Sequence, residues 1–320
     1  MKPNDVIVIF VSDIHLQSKV PPLRYNEEDW FAAMARPLKT LCEVADAYHA
    51  PVVCAGDIFT RWNSSPELIN FALENLPDGM YAIPGQHDLP EHSVDEITRS
   101  AFWTLVMCGK IRPIGKCMRI RESPAVWVSG FAYGAAIEQF PSSEPARNAF
   151  HIAVAHEYVW IPGHQFDTAD KSMNLRNVVT RAYEGKWLGY DAVVFGDNHN
   201  GFITKVYNTP VINCGALMRR HSNEIDYRPF FGLMHADGTI SKHYLPIDDD
   251  KVMALAKAEA AEVSELDTEK LFDEMRTLSG KAYDFGTAIQ RFLDREQICP
   301  DVAQILHSAI EESHVSEVSE

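Results

Sequence analysis

The sequence predicts an α/β fold, on three observations. Short β-branched, apolar runs recur along the chain, segments of helical periodicity lie between several of them, and the polar residues able to do chemistry follow directly where those runs end. The strand-like runs are residues 6–11, 51–55, 80–83, 125–128, 151–155 and 191–195. Helical patterns span 29–48 and 66–76; in the second, Ser65 suits an N-cap and Pro66 the first helical position. From 202 to 247 the chain reads as further strands with turns, Ala236-Asp237-Gly238 being a hairpin signal. Asp248-Asp249-Asp250 marks a boundary, which divides the chain into a main domain, 1–248, and a helical extension, 249–320. Within the extension, Phe285, Ala288, Ile289, Phe292 and Leu293 share one helical face, and Val302, Ile305, Leu306, Ala309 and Ile310 share another after a break at Cys299-Pro300. Such a helical hairpin either packs on its own domain or docks a partner helix.

The bulk numbers narrow the function classes. With 320 residues, 46% of them hydrophobic, the chain can bury one large core and carry an appendage. Met1-Lys2-Pro3-Asn4-Asp5 runs straight into the first strand, and no stretch reaches the roughly 18 apolar residues of a membrane span, so a soluble, cytoplasmic protein is expected. Six cysteines without a Cys-x-x-Cys spacing argue against a disulfide scaffold or a zinc ribbon. The formal charge of −16 argues against broad electrostatic attraction to nucleic acid or anionic membrane. A phosphate substrate stays compatible with it, because bound divalent ions can supply positive charge locally. Residues 251–320 hold fifteen acids against seven bases, half of the net charge, as a solvated helical surface would.

Five segments carry the chemistry: Asp13-Ile14-His15, Gly56-Asp57, Gly85-Gln86-His87-Asp88, His156 and Gly196-Asp197-Asn198-His199. All five follow predicted strands, where open α/β sheets gather their functional loops. Carboxylates and imidazoles are ligands for borderline to hard divalent ions, and a two-oxygen carboxylate such as Asp57 can bridge a pair of them. Two ions about 3.5 to 4 Å apart polarise a phosphate and lower the pKa of a bound water. Asp-x-His alone is weak; the ordered set is the signal.

As a set, the segments resemble the calcineurin-like metallophosphoesterase superfamily, whose pattern is Asp-x-His, Gly-Asp, Gly-Asn-His-(Asp/Glu), His and Gly-His-x-His. The resemblance covers roughly residues 6–247 and implies a four-layer α/β/β/α sandwich that hydrolyses phosphoesters with a dinuclear-metal-activated water. It implies a first ion on Asp13, His15, Asp57 and His199, with Asp57 bridging, and a second on Asp57, Gln86, His156 and Asp197. His87 then acts on the leaving-group oxygen and Asp88 orients it. Gln86 stands where the pattern has Asn, and Asp197 where it has the first His of Gly-His-x-His. Together the exchanges favour a harder second ion, Mn²⁺ or Mg²⁺ over Zn²⁺, and for the pair of ions Mn²⁺ is expected, with Mg²⁺ or Fe²⁺ as alternatives.

Residues Ala55-Gly-Asp-Ile-Phe59, Ile83-Pro-Gly-Gln-His-Asp-Leu-Pro90 and Asn213-Cys-Gly-Ala-Leu-Met-Arg219 resemble more narrowly the nuclease subunit of SbcCD-type DNA repair complexes, the bacterial and phage relatives of a eukaryotic double-strand-break nuclease. That resemblance implies a DNA exo- or endonuclease, a homodimer, and a carboxy-terminal helical segment, here 281–312, that docks an SMC-like coiled-coil ATPase. Arg61-Trp62-Asn63 then offers DNA a cation, a stacking ring and an amide, and Arg219-Arg220-His221 a second basic point; the competing structural readings are a core cap for Trp62 and a surface ion pair for Arg61. His164 is a further substrate-site candidate. Two rivals stay open: a phosphodiesterase or phosphatase acting on a small nucleotide or phosphoprotein, and a non-catalytic scaffold of the same fold. Asp284-Phe285-Gly286 spells a kinase motif without the companions a kinase needs.

Overall fold

Six consecutive buried residues, Val6–Val11, form strand β1, the axis of the first sheet. The structure, a computed structural model, describes residues 5–140, 149–165, 171–175 and 189–252. The elements that follow β1 are helix α1 (Trp30–Tyr48), β2 (Val52–Cys54), α2 (Pro66–Asn75), β3 (Met80–Ala82), α3 (Ala101–Met107), β4 (Ile111–Pro113), β5 (Met118–Glu122), β6 (Ala125–Phe131), β7 (Ala149–His156), β8 (Ala192–Gly196), β9 (Phe202–Val206), β10 (Thr209–Asn213), β11 (Phe230–His235) and β12 (Ile240–Tyr244). They make two six-stranded mixed sheets, ordered β12-β11-β1-β2-β3-β4 and β5-β6-β7-β8-β10-β9.

Local sequence explains the helix starts. The Asp29 carboxylate accepts from the Ala32 amide at 2.9 Å, and the Ser65 hydroxyl accepts from Leu68 N–H at 3.3 Å with Pro66 at the first helical position. Ser100 caps α3 through Trp103 N–H at 3.1 Å. The turn at Asp237-Gly238 closes the β11–β12 hairpin, with Gly238 at φ +83° and its amide donating to the His235 carbonyl.

Burial sorts the side chains into three layers. Met34, Leu38, Leu41, Phe71, Phe102 and Leu105 from the helices cover one face of the first sheet against Ile9, Val11 and Cys54. Phe10, Val53, Val128, Ile152, Val194 and Ile212 fill the space between the sheets. Each such side chain contributes about 1.5 to 3 kcal/mol by leaving water. The outer face of the second sheet, around Ala153, Ala155, Val193 and Phe195, is covered by Ile137, Phe140, Val159, Leu175 and Tyr190. All three α-helices among the described residues pack on the first sheet; the second outer layer of the expected sandwich is built there, among the described residues, from connecting segments.

Parallel pairing fixes where the site falls. β1, β2 and β3 run parallel in one sheet and β6, β7 and β8 in the other, so the loops after β1, β2, β3, β7 and β8 share one end of the sandwich. The Asp-rich boundary is firmly held. Asp250 accepts from Arg24 at 2.7 Å and from Arg219 at 2.8 Å, and the Lys251 amide donates to Glu27, so the chain stays tied to this domain past residue 248. The segment 281–312, where the sequence leads one to expect a helical hairpin, lies outside the described residues.

Candidate metal centre

The loop after β1 turns sharply. Asp13 and His15 take φ of +49° and +50°, and Asp57 after β2 and Asp197 after β8 take +55° and +75°. Four non-glycine residues in left-handed backbone at one end of a sandwich is a concentration of strain that the surrounding structure must impose. It does so by cross-bracing: Asp13 N–H donates to the Gly56 carbonyl at 3.0 Å, His15 N–H to the Asp57 carbonyl at 2.9 Å, and Asp197 N–H to Asp13 Oδ1 at 3.1 Å. Gly56, at φ +97°, lies flat against the His156 ring, and Gly85 against the Asp57 carboxylate; a Cβ at either would overlap those side chains.

The side chains converge. His15 Nε2 and His199 Nε2 are 3.1 Å apart. Asp57 Oδ2 stands between two imidazoles, 3.7 Å from His15 Nε2 and 3.4 Å from His156 Nε2, while its Oδ1 accepts from His87 N–H at 3.0 Å. Two groups have donor atoms mutually within 4.8 Å: Asp13, His15 and His199, and Asp13, Asp57 and His156. Five of the seven expected ligands, Asp13, His15, Asp57, His156 and His199, fall in these groups, with Asp13 common to both and Asp57 Oδ2 placed between two histidines. Asp197 joins neither group; its Oδ1 instead accepts from Gln86 Nε2 at 2.6 Å.

The donor set fits divalent ions. Asp13 Oδ2, Asp57 Oδ2, Gln86 Oε1 and His156 Nε2 are buried and have no hydrogen-bond partner, a costly condition that a cation relieves. His156 keeps its Nδ1 on the Ala55 carbonyl at 2.6 Å, which leaves Nε2 facing Asp57. Burial works against a proton on His156, but Asp57 and Asp13 outweigh it and carry its pKa up to about 10: the cluster holds positive charge even where only a proton supplies it. His15 goes the other way. Burial, then the Arg220 guanidinium and neighbouring imidazoles, press its pKa well down and keep it in the neutral form that binds metal.

Glu224 is a site residue the sequence did not single out. Only 2% exposed, it accepts from His199 Nδ1 at 3.1 Å through Oε1, and from the amides of Arg220 (2.6 Å) and His221 (3.0 Å) through Oε2. Burial opposes its charge, yet these donors pull its pKa down to about 2. A carboxylate behind a ligating imidazole fixes the ring's tautomer and raises its basicity.

The remaining candidates divide. Asp88 is not spent on His87: its oxygens accept from the amides of Ile58, Phe59 and Gly85 at 3.2, 3.0 and 3.1 Å, so it rivets two site loops together, and burial with the nearby Asp57 raises its pKa to about 7. His87 itself is exposed, its ring edge-on to His15 at 5.2 Å. Arg219, expected as a DNA contact, is buried and committed to Asp250 and to the Ile225 carbonyl, because a guanidinium removed from water needs its charge paired. Arg220 is buried beside the centre, its Nη1 3.4 Å from Gln17 Oε1 and its Nε without a partner. Arg61 and Asn63 are exposed, and Trp62 is half-buried under Arg99. His164 packs edge-on against Phe202 at 5.8 Å, and Asn198 holds its carbonyl.

A two-sheet sandwich whose strand ends bring carboxylates and imidazoles onto a centre for a pair of divalent ions defines a class of metal-dependent phosphoester hydrolases. The chain belongs to the calcineurin-like phosphoesterase family, whose profile matches residues 7–201. Members of that family use a dinuclear metal site. A search of curated proteins found no match. Among solved structures, the chain is similar to an archaeal phosphodiesterase (14% identity, covering 74% of this chain and 99% of that one, TM-score 0.38). It is also similar to the protein TT1561 of Thermus thermophilus (11%, 75% and 99%, 0.45) and to a putative 5'-nucleotidase from Staphylococcus aureus (13%, 76% and 55%, 0.45). No helix among the described residues is long and apolar enough to cross a membrane.

Proposed function

We propose that this phosphoester hydrolase is a manganese-dependent DNA nuclease, the nuclease subunit of a complex with an SMC-like coiled-coil ATPase that docks on residues 281–312, and that it works as a homodimer. The observation that carries the substrate reading is a groove of about 330 Å³ beside the centre, lined by Arg61, Trp62 and Asn63 together with Gln86, His87, Glu91 and His92. A cation, an indole and an amide in one groove suit a sugar-phosphate backbone with an unstacked base.

When bound, two divalent ions would neutralise charge on the phosphate and lower the pKa of the attacking water. The chain's own groups do the rest. Asp13, His15, Asp57, His156, His199 and the Gln86 amide oxygen present the donor atoms. Asp57 also fixes the His87 backbone, so the exposed imidazole stands at the mouth of the groove, where it donates a proton to the leaving oxygen. Arg220, buried and short of one hydrogen-bond partner, adds positive charge beside the centre.

The formal charge of −16 favours a second reading, a small-nucleotide phosphodiesterase. The test is one experiment: linear single- and double-stranded DNA and a generic small phosphodiester, each with the full chain in Mn²⁺ and with an Asp57→Ala control. DNA degradation lost in the control supports the nuclease. Turnover of the small ester with DNA intact supports the second reading, and inactivity on both would point to a scaffold.

A further inference from the structure

Asp197 and Gln86 come from different loops, after β8 and after β3, yet their side chains meet, Gln86 Nε2 donating to Asp197 Oδ1 at 2.6 Å. That bond sorts the two ends of the amide. Its nitrogen is spent on the carboxylate, and Oε1, buried and without a partner, is left for the centre. Asp197 meanwhile stands outside both groups of converging donors. Its backbone N–H is fixed on Asp13 Oδ1 at 3.1 Å with φ at +75°, which places the residue at the edge of the centre, and there Gln86 engages its Oδ1.

We infer that Asp197 is a positioning residue rather than a metal ligand: it holds the Gln86 amide so that Oε1, with Asp57 and His156, binds the second ion. An amide that donates to an anion carries more negative charge on its oxygen and is blocked from flipping its nitrogen toward a cation. Gln86 has one more rotatable bond than asparagine, and a side chain of that length needs a fixed partner to present one atom reproducibly. The carboxylate supplies it. The inference rests on the two-ion centre and not on DNA as the substrate, and it is read from ion binding, so failure of the DNA assay leaves it testable.

The experiment is a double-mutant cycle on second-ion affinity, followed by Mn²⁺ titration with electron paramagnetic resonance on the full chain, the first ion serving as internal control. Asp197→Gly suits the position because glycine accepts φ +75° without strain. It is expected to weaken the second ion by about 10- to 100-fold, the range for loss of a group that orients a ligand. Gln86→Ala is expected to weaken it at least as much, and the double variant no further than Gln86→Ala alone. Losses that multiply in the double variant would overturn the inference, since Asp197 would then bind the ion itself. An unchanged second ion in Asp197→Gly would overturn it as well. Should Asp197→Gly fail to fold, Asp197→Asn, which keeps an acceptor without the charge, carries the same cycle with a smaller expected loss and the same requirement of non-additivity.

Discussion

The two halves of the centre are built by different means. On one side Asp13, His15 and His199 are held from behind: His15 is 2% exposed, and His199 is backed by a buried carboxylate, Glu224, which is itself held by two backbone amides. On the other side Asp57 and His156 are as deeply buried, but the third donor is an amide, half-exposed, that depends on a side-chain partner. The first half is preorganised by burial and backbone; the second is completed by a pair of side chains from two loops. The difference teaches that seven motif residues need not play seven equal roles, and that one centre can hold its donors by different means.

Asp57 Oδ2 faces a histidine of each half, His15 at 3.7 Å and His156 at 3.4 Å, so removing it should break both halves at once. Asp57→Ala is expected to lower phosphodiester hydrolysis on the order of 1000-fold or more, measured as kcat/KM in excess Mn²⁺. Glu224→Gln should separate the halves, weakening the first ion by about 10- to 100-fold while leaving the second, as read by calorimetric titration.

Glu224 also has a pH signature. Its folded pKa, about 2, lies below its ordinary 4.5, so its contribution to stability is complete above pH 4.5 and is lost as pH falls toward 2. For the metal-free protein this amounts to about 3 kcal/mol, and the gap in unfolding free energy between wild type and Glu224→Gln should widen from pH 2 to 4.5 and then level off. A gap that does not change with pH would show that the carboxylate is not held as an anion.

Asp250→Ala acts on neither half directly. It leaves the buried Arg219 guanidinium without its carboxylate, and a loss of about 2 kcal/mol in denaturant-induced unfolding is expected with both ions still bound. The smallest effect belongs to the groove. Arg61→Ala should raise KM for DNA by about 2- to 5-fold, more at low salt, without changing turnover of a small ester.

Much of this was legible in the sequence because the signals were local. Buried parallel strands write themselves as unbroken apolar runs, and each of the six runs is a strand in the structure. The motif residues lie within a few positions of those runs, so strand ends and ligands were found together. What was missed lacks a local signal. β5, Met118–Glu122, is an edge strand carrying Arg119, Arg121 and Glu122, and β4 is three residues long, so neither shows an apolar run. α3 has seven residues, too few for a helical period to stand out. Glu224 lies 25 residues beyond His199 and outside every motif; its only trace is a capping-box-like spacing from His221. The partners of Arg219 and Asp88 were hidden for the same reason: sequence gives a side chain's charge, while only the fold shows that Asp250 and three backbone amides engage them.

The most direct test of the two-half centre is metal stoichiometry by native mass spectrometry of the full chain with excess Mn²⁺, comparing wild type with His156→Ala. The account predicts two ions in the wild type and one in the variant, with the first half still loaded. Two ions in both, or one in both, would contradict it.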